Sequence, residues 1–333
     1  MSEEDQQTTS AEAPDNFKDP DQAELEYKMC KDINAMPEEV RDRFKALKVL
    51  YDQVNDLDEE EEKEYRQLEL KYEKMYAEIY AKRALLVKGL EEPSQNLIDQ
   101  FEEVKNGLAD QKYNELEVPI CDVKDIQNTE KGVSGFWQRA MLGHQSISKT
   151  IVEKDRPILA YLQDIQLDLH EKGQGYTLKF VFEKNSYFEG TELTKQFIQS
   201  KPNVIEKCIG TEINWTAGSD PTKEKKKKKV KKAGGGKKTV TKEVKCDSFF
   251  NFFETIALKE KEGGSKKKDD SEEEEDEDDV GERMDADFDI GNDFKDDLIP
   301  LALEYYLGVI EQESDDDDDD EGDDDDSDEE DKK

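Results

Sequence analysis

The sequence predicts an α+β chain in which one very long helix precedes a helix-covered antiparallel β-sheet, flanked by charged segments that lack a core. Three observations predict it: a helical apolar stripe over residues 38–92, period-two alternation on both sides of Gly173 and Gly175, and acidic runs almost devoid of apolar side chains. Of the 333 residues only 33% are hydrophobic and 41% are charged, with 49 basic against 87 acidic side chains for a net −38. Part of the chain therefore cannot offset its ordering entropy by burial. These shifts in composition bound a disordered N-terminal segment (1–34), a long-helix region (35–110), an α/β domain (111–258) that includes a basic hairpin (223–245), an acidic linker (259–279), C-terminal helices of the same domain (280–310) and a disordered acidic tail (311–333).

No apolar run approaches the roughly 18 to 20 residues of a membrane span, and the start "MSEEDQQTTS" resembles neither a secretory nor a transit signal. A soluble, intracellular chain with no direct membrane contact is expected. Cys30, Cys121, Cys208 and Cys246 form no CxxC pair, which predicts plain thiols in a reducing compartment.

Between Glu38 and Glu92 there is no proline, and Gly89 is the only glycine. Apolar residues recur in three- and four-residue steps at Phe44, Leu47, Leu50, Val54 and Leu57, and again at Tyr65, Leu68, Tyr72, Met75, Ile79 and Leu86. A helix of roughly fifty residues is about 75 Å long. It cannot bury such a stripe against its own chain, so the stripe from Leu47 to Leu86 predicts pairing, most simply with the same helix of a second copy. The acidic patch Asp58–Glu62 puts Glu61 where an apolar residue is due, which argues against a uniform coiled coil.

After a polar stretch containing Pro93 and Pro119, "GVSGFWQRAMLGHQSIS" reads as a short helix around Trp137 to Leu142. Ile165, Leu167 and Leu169, then Leu178, Phe180 and Phe182, alternate across the glycine turn as a hairpin with one buried face. "LTKQFIQS" and "CIGTEINW" add two strands, giving an antiparallel sheet of at least four. Lysines flanking Gly234, Gly235 and Gly236 predict a protruding ribbon with a glycine turn. In "SFFNFFETIAL", Ser248 is placed to cap a short helix whose aromatic faces both enter the core. "DDLIPLALEYYLGVIE" predicts a helix broken near Pro300.

Fragments that imitate catalytic or metal sites fail on spacing. "GVSGF" is not G-x-S-x-G, and "GGGKKT" puts Lys238 where a phosphate-binding loop needs Ser or Thr. His144 and His170 are the only histidines and lie in no zinc motif. Asp285, Asp287 and Asp289 have calcium-loop spacing, but Ile290 replaces the required glycine and Asp296 the bidentate Glu. "NWT" at Asn214 reads as the end of a strand. The chain is expected not to be an enzyme and to need no cofactor or metal.

What remains is electrostatic. Residues 315–331 hold fifteen acids in seventeen positions, and residues 272–279 are acidic throughout. Such runs repel nucleic acid and attract basic proteins, although no aromatic residue follows Tyr306 to add an apolar anchor. A low-affinity calcium buffer using these acids, and an adaptor binding nucleic acid through the lysine hairpin, are the alternatives from other classes.

"MPEEVRDRFKALKVLYDQV", "GVSGFWQRAM", "DRPILAYLQDIQLDL", "YTLKFVF", "GTEINW", "SFFNFF", "DIGNDFKDDLIPLALEYY" and the acidic tail, in this order, closely resemble the nucleosome assembly proteins. The resemblance spans residue 35 to the C-terminus. It implies a histone chaperone: a homodimer through antiparallel long helices, with assembly beyond the dimer left open, whose 111–258 domain has an acidic concave surface for core histones and whose action is independent of ATP. On this reading histones are also held by Asp315, Asp316, Asp317, Asp318, Asp319, Asp320, Glu321, Asp323, Asp324, Asp325 and Asp326 of the tail. The resemblance also assigns the ribbon, with Lys225, Lys226, Lys227, Lys228, Lys229, Lys231 and Lys232, to a nuclear-localisation signal read by an import receptor. It implies shuttling between nucleus and cytoplasm. Many relatives end in a prenylation box, which "EEDKK" does not match. The acidic field opposes strong direct nucleic-acid binding. Ser271, Ser314 and Ser327 precede acidic runs and are candidate phosphorylation sites.

Overall fold

The computed structural model describes residues 20–110, 132–172, 174–201, 204–231, 237–257 and 277–310. Helix α1 spans Pro20–Ala35 and α2 spans Glu38–Val87, fifty residues without a break. The acidic patch at Asp58–Glu62 interrupts the apolar stripe but not the helix. The described start of α1 corrects the expectation of disorder through residue 34. Proline at its first position, good helix formers and the i,i+4 pair Lys28–Glu24 at 2.7 Å sustain it with little burial, which is why composition hid it. Lys48 bridges the two helices, with Nζ 2.5 Å from Asp52 and 3.5 Å from Glu26.

Helix α2 ends where Gly89 takes φ 62° and Leu90 N–H donates back to the Leu85 carbonyl at 2.9 Å. The polar stretch after Pro93 holds a separate helix α3, Gln95–Asp110, capped by Ser94. Three short helices follow: α4, Phe136–Gly143; α5, Gln145–Thr150; and α6, Arg156–Leu159.

The chain divides into two compact units at Glu69/Leu70, and the described residues from Leu70 onward belong to the unit holding the sheet. That sheet is antiparallel in the order β1 (Leu162–Leu169), β2 (Gln174–Phe182), β3 (Glu192–Lys201), β4 (Val204–Gly210) and β7 (Ile256–Ala257). The first hairpin pairs Ile165 with Phe180 and Leu167 with Leu178, the register that alternation predicts. "CIGTEINW" is a strand only through Gly210; Trp215 instead bridges to Phe188. β5 (Lys223–Lys231) and β6 (Lys237–Lys245) form the separate ribbon, paired from Lys223↔Lys245 to Lys231↔Lys237; its glycine turn lies outside the described residues.

"FFNFF" is a 3-10 helix, Phe249–Phe253, whose four phenylalanines are all buried. Ser248 Oγ accepts from Phe250 N–H at 3.2 Å and donates to Asp155 Oδ1 at 2.6 Å. Asp155 is fully buried and also accepts from the amides of Val152 and Phe249, so one carboxylate ties α6 to the 3-10 helix. Phe180, near the end of β2, lies 5.1 to 6.2 Å by ring centroids from Phe249, Phe252, Phe253 and Phe294.

Covering this face are α7, Glu277–Asn292, a π turn over Asp293–Leu298, and α8, Ala302–Leu307. The π turn closes with Ile299 N–H on the Phe294 carbonyl at 3.0 Å and buries both Phe294 and Leu298. Pro300 then breaks the helix, as expected, since it has no N–H to give.

Candidate functional site

Among the acidic side chains that the fold displays, one set lies on α7 and its π extension. Met284, Phe288 and Phe294 face inward and are buried, which leaves Glu282, Asp285 and Asp289 exposed, followed by half-buried Asp293 and exposed Asp296. Their spacing of three, four, four and three residues makes one stripe. Like charges at this spacing oppose helix formation, so burial of the opposite face must hold the stripe together. Burial pushes the Asp293 carboxyl above its usual range, and His144 and a hydrogen bond from Ser146 pull it back.

The inward face is pinned by an ion pair. Lys195 sits on β3 between buried Leu193 and Phe197, in line with the core, and is wholly inaccessible. Its Nζ donates to the Glu254 carbonyl at 2.8 Å and to Asp287 Oδ2 on α7, with the Phe252 and Phe197 ring centroids 5.2 and 5.9 Å away. Burial raises the Asp287 carboxyl above its normal range, and Lys195 opposes that shift. Four residues on, Gly291 lets the helix lie against β2 and β3: a Cβ there would stand 2.5 Å from the Phe197 ring and 2.7 Å from Tyr176 Oη.

Farther along, the His144 ring sits 3.1 Å from Asp297 by Nε2, and its Nδ1 accepts from Ile147 N–H at 3.3 Å. Tyr305 Oη donates to the same Asp297 oxygen at 2.5 Å. This trio fastens α4 and α5 to the π turn and α8. Its Nδ1 is occupied as an acceptor, so His144 has a structural duty. The residues with calcium-loop spacing split across α7: Asp285 and Asp289 face outward, whereas Asp287 faces Lys195. They line no loop.

Each of Leu47, Leu50, Val54, Leu57, Tyr65, Leu68, Tyr72, Met75 and Ile79 is exposed on α2; Leu86 is half-buried. Toward its end α2 joins the core. Arg83 donates to the Ile299 carbonyl at 2.6 Å and lies 4.9 Å from the Trp137 ring, and Val87 accepts from Val133 N–H at 2.8 Å. On the ribbon, exposed Lys225 and Lys226 pair loosely with Glu243 at 3.8 Å and Glu224 at 2.7 Å. Lys227, Lys228, Lys229 and Lys231 lie within β5. Lys232, the tail acids from Asp315 to Asp326, Ser271, Ser314, Ser327 and Cys121 lie outside the described residues. Cys30, Cys208 and Cys246 carry free thiols; burial raises that of Cys208 to about 11.

Sequence reasoning missed the acidic stripe, Lys195 and Asp155. A signal existed for Lys195: it interrupts the inward line Leu193, Phe197 at strand period. The stripe was concealed because inward residues such as Met284 and Phe288 are sparse among acids.

The chain matches the family model "Nucleosome assembly protein (NAP)" over residues 42–309. It is 35% identical over 283 residues to nucleosome assembly protein 1;2 of Oryza sativa subsp. indica, covering 84% of this chain and 71% of the rice protein. Against nucleosome assembly protein 1;3 of Nicotiana tabacum the identity is 35% over 276 residues, 82% and 67% of the two chains. The fold is similar to that of nucleosome assembly protein 1 from Plasmodium knowlesi, at 23% identity and a TM-score of 0.55, covering 83% of this chain and 99% of that one.

Proposed function

The chain belongs to the nucleosome assembly protein family, and on that premise we propose that it is a histone chaperone that holds core histones on the acidic stripe of α7 and the π turn. The observation that carries this reading is the outward row Glu282, Asp285, Asp289 and Asp296, with half-buried Asp293 among them, kept in place against its own repulsion by the Lys195–Asp287 pair on the opposite face. An anionic surface competes with DNA phosphate for the same basic side chains, lowers the free histone concentration and so suppresses disordered histone–DNA aggregation, with no covalent step or nucleotide. The exposed stripe of α2 supports a homodimer, which brings two acidic faces together and raises the effective concentration for a second histone dimer. The tail acids add a diffuse, salt-sensitive attraction. The ribbon lysines suit an import receptor with acidic grooves, which supports movement into the nucleus.

Neutralising the stripe with Asp285→Asn, Asp289→Asn, Asp293→Asn and Asp296→Asn is expected to weaken binding of purified histone dimers by about tenfold or more at low salt, since each exposed contact contributes about 0.2 to 1 kcal/mol. Fluorescence anisotropy at two ionic strengths measures it. Unchanged affinity at low salt would sink the assignment of the stripe. Removing residues 315–333 is expected to reduce affinity without abolishing it, and the loss should shrink as salt shortens the Debye length below about 8 Å. A truncated chain that binds as the full one does at low salt would show a passive tail.

A further inference from the structure

Charge alone attracts any polycation, and the structure provides an apolar contact beside the stripe. Between the 3-10 helix and α7 lies a cavity of about 240 Å³, walled by Phe249, Phe252, Ile256, Ala286 and Ile290. Ala286 and Ile290 are each one residue along α7 from the exposed acids Asp285 and Asp289, so the cavity and the stripe occupy neighbouring faces of one helix.

The charged groups around the cavity already satisfy one another. Glu254 Oε2 accepts from Lys245 at 2.5 Å and from Arg283 at 3.1 Å, while Asp287 is held by Lys195. What the walls lack is an uncharged apolar guest. Asn251, on the wall, donates through Nδ2 to the Cys246 carbonyl at 3.0 Å.

We propose that this cavity receives an aliphatic side chain of the basic protein bound on the stripe, and that this contact lets the surface prefer a folded histone over an unstructured polycation. The inference deepens the chaperone reading and rests on it. In sequence, residues 259–276 and 311–333 contain no aliphatic or aromatic side chain. The acids alongside favour a basic occupant. Interfaces draw most of their discrimination from a few desolvated apolar anchors ringed by polar contacts, which is the arrangement here.

The test is Ala286→Trp, which fills the mouth of the cavity from an exposed position, with affinities read for histone dimers and for poly-lysine. The expected result is about a tenfold loss on histone dimers with poly-lysine binding and the urea midpoint unchanged. No loss on histone dimers, or an equal loss on both ligands, overturns the proposal. Ile290→Asn, which makes the wall polar without blocking it, should show the same split and serves if the tryptophan variant does not fold. The two readings fail differently. If the wild type ignores histone dimers, or binds them regardless of the stripe, the chaperone assignment of this face is lost and the cavity proposal with it. If stripe-dependent binding persists while both cavity variants bind as wild type does, only the cavity proposal is lost.

Discussion

A chain carrying Leu50→Glu and Val54→Glu is expected to be monomeric at concentrations where the unmodified chain is a dimer, while retaining its helix content. Both side chains are more than half exposed in the single subunit, 56% and 54%, so the subunit has little to lose by their change. In a two-fold interface each residue is buried twice. Losing about 1.5 to 3 kcal/mol for each apolar side chain, and placing carboxylates among Leu47, Leu57 and their symmetry mates, raises the dissociation constant by about four orders of magnitude or more. Sedimentation equilibrium measures this directly. A variant that remains dimeric would move the interface off this face of α2, and with it the paired arrangement of acidic stripes.

Lys195→Met is expected to destabilise the sheet unit by about 3 kcal/mol or more, the usual result of removing one partner from a buried ion pair. Asp287 would be left mostly buried with only the weaker attraction of Arg283. The paired change Lys195→Met with Asp287→Leu should restore most of that loss, because an apolar pair of similar volume avoids the desolvation that the charges suffer. Urea unfolding of the two variants decides the matter. If the single variant is as stable as the unmodified chain, the ion pair does not hold α7, and another cause for the outward aim of Asp285 and Asp289 must be found.

The residues differ in how plainly they announced these features. Ile165, Leu178 and Phe180 alternate so regularly that the first hairpin could be read with its register, because the period of a strand and the depth of the core impose the same pattern. The 3-10 helix was equally plain, since four phenylalanines have nowhere to go but inward. The long helix also declared itself, because its apolar steps continue for many turns. Helices α1 and α3 did not. They bury little, so propensity, capping and i,i+4 pairs define them, and those signals resemble the composition of a charged linker. Helices over 280–310 were expected, but the facing of α7 was hidden for the opposite reason: its acids outnumber the few inward residues that seat it. The acidic stripe therefore became visible only once Asp287 and Gly291 showed which way the helix faces.

Gly291 limits how this surface can drift as the gene mutates. On the outward side aspartate and glutamate can trade places, or gain neighbours, with small consequences for folding. One methyl group at residue 291 would meet the Phe197 ring and lever the whole row away from its seat. Variation among descendants of this chain should thus be tolerant on the outward acidic face and strict at the point of closest approach beneath it.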